Sequence, residues 1–194
     1  MPHDHIEAVQ LRYQRILEAH PDLLKIGDQA SRIEQANMRF PLKAAKLYRL
    51  ADTLKARLEP FVVCTSGCSA CCHMPTMAFQ HEAEAMAVAS GRTARRLAFR
   101  EIPDALSAAN AFIGQPCPFL VDGRCAIYAY RPLICRLHNS LNDDPRDCQI
   151  TPTGTIRPVL GVDADMVEMP YIRATLRWNP REPYGTLQEF FSPG

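Results

Sequence analysis

Eight cysteines in two groups constrain this 194-residue chain more than any other feature of it. The first group is Cys64-x3-Cys68-x2-Cys71-Cys72, and the second is Cys117-x7-Cys125-x9-Cys135-x12-Cys148. Spacings of two or three residues let a loop double back so that several sulfurs face one point. That is the geometry of Cys-x2–4-Cys zinc sites and of the cysteine runs in iron–sulfur proteins. Adjacent cysteines point apart in extended chain, so Cys71 and Cys72 are expected to serve different ions or sites. Two sets of four thiolates would fill two four-coordinate centres.

How such thiols are read depends on the compartment. The segment Met1-Pro2-His3-Asp4-His5-Ile6-Glu7 has neither the basic residues nor the apolar run of a secretory signal. Nowhere does the chain approach the roughly 18 consecutive apolar residues that cross a bilayer. A cytoplasmic protein with no membrane partner is expected, and there clustered thiols serve as metal ligands or redox groups more often than as disulfides. Composition is ordinary for a globular chain, 47% apolar and 22% charged. The formal charge of +1 turns negative as thiols ionise, and no face is basic enough to follow a phosphate backbone, which argues against a nucleic-acid partner. Arg92, Arg95, Arg96 and Arg100 recur at helical spacing and are read as a solvated helix face.

The fold expected is mainly α: one domain, 1–194, in which irregular helices surround a loop-rich cysteine metal centre with one short β-hairpin. Residues 1–60 form its helical N-terminal part. Ile6, Val9, Tyr13, Ile16 and Leu17 mark one helix that ends at His20-Pro21, and Leu47, Leu50, Leu54 and Leu58 mark another between Pro41 and Pro60. Residues 61–150 form the cysteine-bearing core. Helices are predicted there from Gln80 to Ser90, stopped by Gly91, and over 104–113 with Asp104 as cap. The tail, 151–194, holds six of the sixteen prolines and is expected to wrap the domain as extended chain.

A β-hairpin is predicted over 119–128, turning at Asp122-Gly123. A two-residue loop would pair Cys125 with Leu120 and leave Cys117 on the other side. A three-residue loop with Gly123 in the left-handed position would pair Cys125 with Phe119 and bring Cys117 within roughly 7–8 Å on the same face. Service of one centre by both cysteines therefore predicts the bulged turn. Pro132 suits the start of a short helix whose first turn holds Cys135, where backbone N–H groups favour a thiolate. Arg131 and Arg136 are candidates to donate hydrogen bonds to sulfur and offset its charge. His73 and His138 are read as hydrogen-bonded or solvated, with ligation in a Cys3His site as the alternative.

The pattern Cys64-x3-Cys68-x2-Cys71-Cys72, then Cys117-Pro118-x-Leu120, Gly123-x-Cys125-x-Ile127-Tyr128 and Arg131-Pro132-x-x-Cys135-Arg136, resembles the YkgJ-type cysteine-cluster family. Its members are described as zinc- or iron-chelating and are often labelled iron–sulfur oxidoreductases with no reaction attached. The resemblance spans about residues 64–148 and implies metal binding by all eight cysteines: Cys64, Cys68, Cys71, Cys72, Cys117, Cys125, Cys135 and Cys148. The leading expectation is one or two iron–sulfur clusters of the four-iron type, with a redox or electron-transfer role and a redox or protein partner. The alternative is a structural zinc module acting in partner binding or metal handling. No phosphate loop, nucleophile elbow or paired carboxylates stand out, so no catalytic residue is assigned.

Overall fold

A computed structural model of the protein describes residues 3–64, 67–150 and 159–191, with side chains from residue 6 onward. Its helices are α1 (His3–Ala19), α2 (Ile26–Gln35), α3 (Phe40–Leu58), α4 (Gln80–Ser90), α5 (Ile102–Ala109), α6 (Leu133–Leu137), α7 (Asp165–Trp178) and α8 (Leu187–Phe191). Among the described residues there are also four strands of two or three residues, β1 (Met77–Phe79), β2 (Leu120–Val121), β3 (Arg124–Cys125) and β4 (Tyr184–Thr186), and short turns of 3-10 helix. The protein is mainly α, as expected. Among the described residues no helix is long and apolar enough to cross a membrane.

The described residues gather into two compact units. One draws on 3–64, 136–148 and 159–180, and the other on 67–135, 149–150 and 181–191. This interleaving differs from the linear order of helical part, core and wrap drawn from the sequence.

The first unit is a set of helices packed through α7. On that helix Val167, Pro170, Tyr171, Ala174 and Thr175 are buried at helical spacing. The expectation of an extended tail is therefore wrong over 165–178, while 151–158 lie outside the described residues. Pro170 and Thr175 disguised the stripe, although Pro170 falls early enough in the helix to be accommodated. Helix α2 buries Ile26, Ala30 and Glu34 on one face, and α3 buries Phe40, Leu47, Ala51, Leu54 and Leu58. Phe40 stacks on Trp178 with ring centroids 4.5 Å apart. Of the stripe predicted on α1, Val9 and Ile16 are buried while Ile6 and Tyr13 are exposed.

Glu34, 2% exposed, takes Arg173 on one carboxylate oxygen at 2.9–3.0 Å and Arg177 on the other at 2.9 Å, joining α2 to α7. Loss of such a buried anion strands two guanidiniums against each other. Both arginines are half in water, so the effect falls below that of a fully buried pair. Glu34→Ala is expected to lower stability by about 1–3 kcal/mol, read as a drop in the urea midpoint of the helical signal. An unchanged midpoint would show the pair to be decorative.

The second unit is built on β1 and β4, antiparallel with Ala78 opposite Gly185. Its core comprises Ala78, Ala83, Met86, Phe119, Ile127, Leu187, Phe190 and Phe191, with Cys117 and Cys125 packed against it. Helix α4 matches its predicted bounds and ends on Gly91 at φ 68°, the left-handed C-cap that glycine adopts without strain. Helix α5 starts two residues earlier than predicted, leaves Leu106 exposed and buries Ala105 and Ala109.

Residues 92–101 are not the helix read from the arginine spacing. They have no regular secondary structure and are held by the buried Gln80 side chain, which accepts from Leu97 N and donates to Arg95 O, both at 3.1 Å. Arg95 N also donates to Phe190 O at 2.9 Å, and Arg100 pairs with Glu189 at 2.6 Å. A polar residue that binds main chain on both sides does the work that helical periodicity was expected to do.

Candidate metal centre

The second unit holds six of the eight cysteines: Cys68, Cys71, Cys72, Cys117, Cys125 and Cys135. Cys64 and Cys148 belong to the first unit. None of the eight is joined in a disulfide.

Residues 70–73 form one turn of 3-10 helix carrying Cys71 and Cys72. Two main-chain bonds fasten this turn to the second cysteine group. Cys117 N donates to Cys72 O at 2.6 Å, and Gly114 N donates to His73 O at 2.9 Å. Residues far apart in sequence are thereby brought side by side. Divergence of Cys71 and Cys72 was expected of extended chain, and here the backbone is coiled, with the Cys71 thiol near enough to lower Cys72.

From Cys117 the chain turns, Leu120 N donating to Cys117 O at 2.9 Å, and enters the hairpin. Leu120 faces Cys125 and Val121 faces Arg124, so the loop has two residues. Asp122 (φ 48°) and Gly123 (φ 73°) are both left-handed, which is the I′ geometry favoured by Asp-Gly. The bulged turn predicted for shared service of one centre is absent. The turn at 117–120 keeps Cys117 and Cys125 close enough to influence each other without it.

Cys135 sits in the first turn of α6, with its N–H donating to Pro132 O at 3.1 Å. The next contact back along the chain is the one sequence reading missed. Glu82, 6% exposed, accepts from Phe79 N at 3.0 Å and from Leu133 N at 2.9 Å. One buried carboxylate thus caps the start of α4 and, 51 residues on, the start of the cysteine-bearing helix. Neither bond was read from the sequence.

Cys71, Cys72, Cys117, Cys125 and Cys135 all lie within electrostatic range of one another or of a shared neighbour. Three of the sulfurs have a hydrogen-bonding group directed at them. The Cys71 thiol holds Cys72 below the ordinary cysteine range. Burial pushes Cys117 up, opposed by the backbone N–H of Phe119 and by the charge of Arg92. Burial pushes Cys135 up further, and neighbouring Cys71 and Cys117 add to it, against Arg131 and a hydrogen bond with Thr76. Such donors lower the cost of a buried thiolate.

Arg131 stacks on the Tyr128 ring, 3.5 Å from its centroid, and donates to Tyr128 O at 2.8 Å. Its charge opposes the upward push on Cys135, but the hydrogen bond it donates goes to a carbonyl and not to sulfur. Arg136 makes a two-pronged contact with Asp52 at 2.7 and 2.8 Å and lies over Tyr48, so a carboxylate already matches its charge. His73 Nδ1 faces Ser69 O at 3.3 Å, and His138 is exposed. Cys68 is exposed on the loop before the 3-10 turn.

Residues 63–153, just under half of the chain, match the CxxCxxCC family, whose description reads "Putative zinc- or iron-chelating domain". This stretch is similar to that family. No curated protein and no solved structure matches the chain. The matched stretch has three residues between Cys64 and Cys68 where the family's name has two. Its metal chemistry fits the donor set, since soft thiolates select zinc and iron–sulfur centres. Among the described residues no three His, Cys, Asp or Glu side chains close around a single point.

Proposed function

We propose that the thiols of Cys71, Cys72, Cys117, Cys125 and Cys135 hold an iron–sulfur centre with a redox or electron-transfer role, in a cytoplasmic protein that exchanges electrons with a protein partner. The observation that carries the proposal is this gathering of five thiols in one unit, with donors directed at sulfur and two guanidiniums, Arg92 and Arg131, acting on them. Soft thiolates suit such a centre, and positive charge beside a cluster favours its more negative, reduced form. Cys64, Cys68 and Cys148 stand as further ligands on their place in the sequence pattern. In this reading the centre supplies a reversible one-electron step, and the chain's residues bind it, screen it from water and offset its charge.

Short elements favour a second reading. The thiols ride on a four-residue turn, a two-residue strand and a five-residue helix, units that a structural zinc ion would knit together. Anaerobic purification with iron, zinc and sulfide analysis separates the two. A brown protein with iron and acid-labile sulfide in comparable amounts is expected. A colourless protein holding stoichiometric zinc, with neither iron nor sulfide, would end the redox reading.

A further inference from the structure

Arg92 was the first member of a run expected to face solvent from a helix, and the structure employs it otherwise. It follows the Gly91 cap, and its N–H returns to Ala87 O at 3.2 Å. Its guanidinium donates to Pro118 O at 2.6 Å and to Phe191 O at 2.8 Å. The same group lies over two rings that meet edge to face, 5.0 Å from the centroid of Phe119 and 5.4 Å from that of Phe191. Three segments converge on this side chain: the end of α4, the stretch Cys117-Pro118-Phe119, and α8. Two carbonyls and two aromatic faces suit a planar guanidinium, and an ammonium would satisfy them less completely. Pro118 has no N–H of its own, so its carbonyl is what main-chain recognition of that residue has to use.

We propose that Arg92 is a positioning residue for the metal centre, fixing the Cys117-Pro118-Phe119 segment against α8 and supplying a permanent positive charge beside the Cys117 sulfur. This rests on the reading that these thiols hold a metal. Arg92 does two separable things. As a clamp it sets where the Cys117 sulfur stands, through the carbonyl of the next residue and the ring after that. As a charge it offsets the negative thiolate set that forms when a cation displaces protons. The charge stays constant across neutral pH, because arginine does not deprotonate there.

The test uses the full-length reduced protein under anaerobic conditions, titrated with Co²⁺ as a spectroscopic probe of thiolate ligation. Wild type, Arg92→Lys and Arg92→Met are compared, with thermal unfolding recorded for each. Arg92→Met is expected to weaken Co²⁺ binding by about 10- to 100-fold, the range for groups that support metal ligands. Arg92→Lys keeps the charge and should recover most of that affinity, while melting lower than wild type because the two-carbonyl clamp is lost. Raising ionic strength should weaken binding in wild type and Arg92→Lys more than in Arg92→Met, since only a charge is screened.

Equal loss in both variants, without difference in salt dependence, would reduce Arg92 to a folding residue and overturn the proposal. Unchanged affinity in Arg92→Met would do the same. A wild-type protein showing no thiolate-to-cobalt charge-transfer band would fail at the first step, sinking the proposed centre and this role of Arg92 with it.

Discussion

Replacing Cys135 with serine is expected to strip the protein of bound metal under conditions where wild type is saturated. A tetrathiolate site binds its ion with roughly 10–16 kcal/mol, so one lost thiolate forfeits about 3 kcal/mol, more than a hundredfold in affinity. Cys135 is a sharp probe because burial and its sulfur neighbours raise it furthest. A thiol so raised is protonated at neutral pH, and a metal has to displace that proton. The same holds for Cys117, also raised by burial. Binding should therefore strengthen as pH rises, each displaced proton adding about tenfold per pH unit. In Cys135→Ser the slope should be shallower by one proton. The decisive measurement is metal stoichiometry with Co²⁺ affinity at several pH values. Full occupancy with the wild-type slope would remove Cys135 from the ligand set.

Glu82→Ala should rank next in effect. The substitution leaves Phe79 N and Leu133 N, both bonded to this carboxylate, without their acceptor. A buried donor left unsatisfied costs about 1–3 kcal/mol, so the two together cost roughly 2–6 kcal/mol. That is comparable with the total stability of a modest domain. Glu82→Gln keeps one acceptor oxygen and turns an N–H₂ toward the other donor, so it should lose about half as much. Calorimetric melting should show the ordering wild type, Gln, Ala, and metal content should fall in the same order, because the second bond starts the helix that carries Cys135. An Ala variant melting with wild type would show that the two helix starts find water instead.

What the sequence disclosed follows the range of the forces involved. Helix α4 was legible to the residue because its stop signal, Gly91, acts locally. The Asp122-Gly123 hairpin was legible for the same reason, and of the two registers it allowed, the two-residue I′ turn favoured by Asp-Gly is the one adopted; the bulged turn was tied to both cysteines serving one centre. Helices α2 and α7 escaped notice because each hides a polar residue or proline on its buried face, Glu34 in one and Pro170 in the other. Glu34 makes sense on that face only with Arg173 and Arg177 opposite, a pairing across 139 residues that no local pattern carries. The β1–β4 pair is equally non-local.

The spacing of the cysteines pointed to the same chemistry that the match over residues 63–153 describes, zinc or iron chelation. The parts played by Glu82 and Arg92 depend on contacts with residues far along the chain, Leu133 for one and Pro118 and Phe191 for the other. A basic run at helical intervals carries no sign that its first member will be gripped by two carbonyls and two rings.

The rungs from Cys117 N to Cys72 O and from Gly114 N to His73 O tie residues 74–113 into a lasso with a closed neck. Length added to a lasso far from its neck is tolerated, since doubling such a span costs only about 0.6 kcal/mol in closure entropy. Residues inserted at an exposed point such as Ala98 would enlarge the excursion while the sulfurs at the neck kept their separation. The distance in sequence between the two cysteine groups is thus a slack dimension of this architecture, and the intervals inside each group are the taut ones.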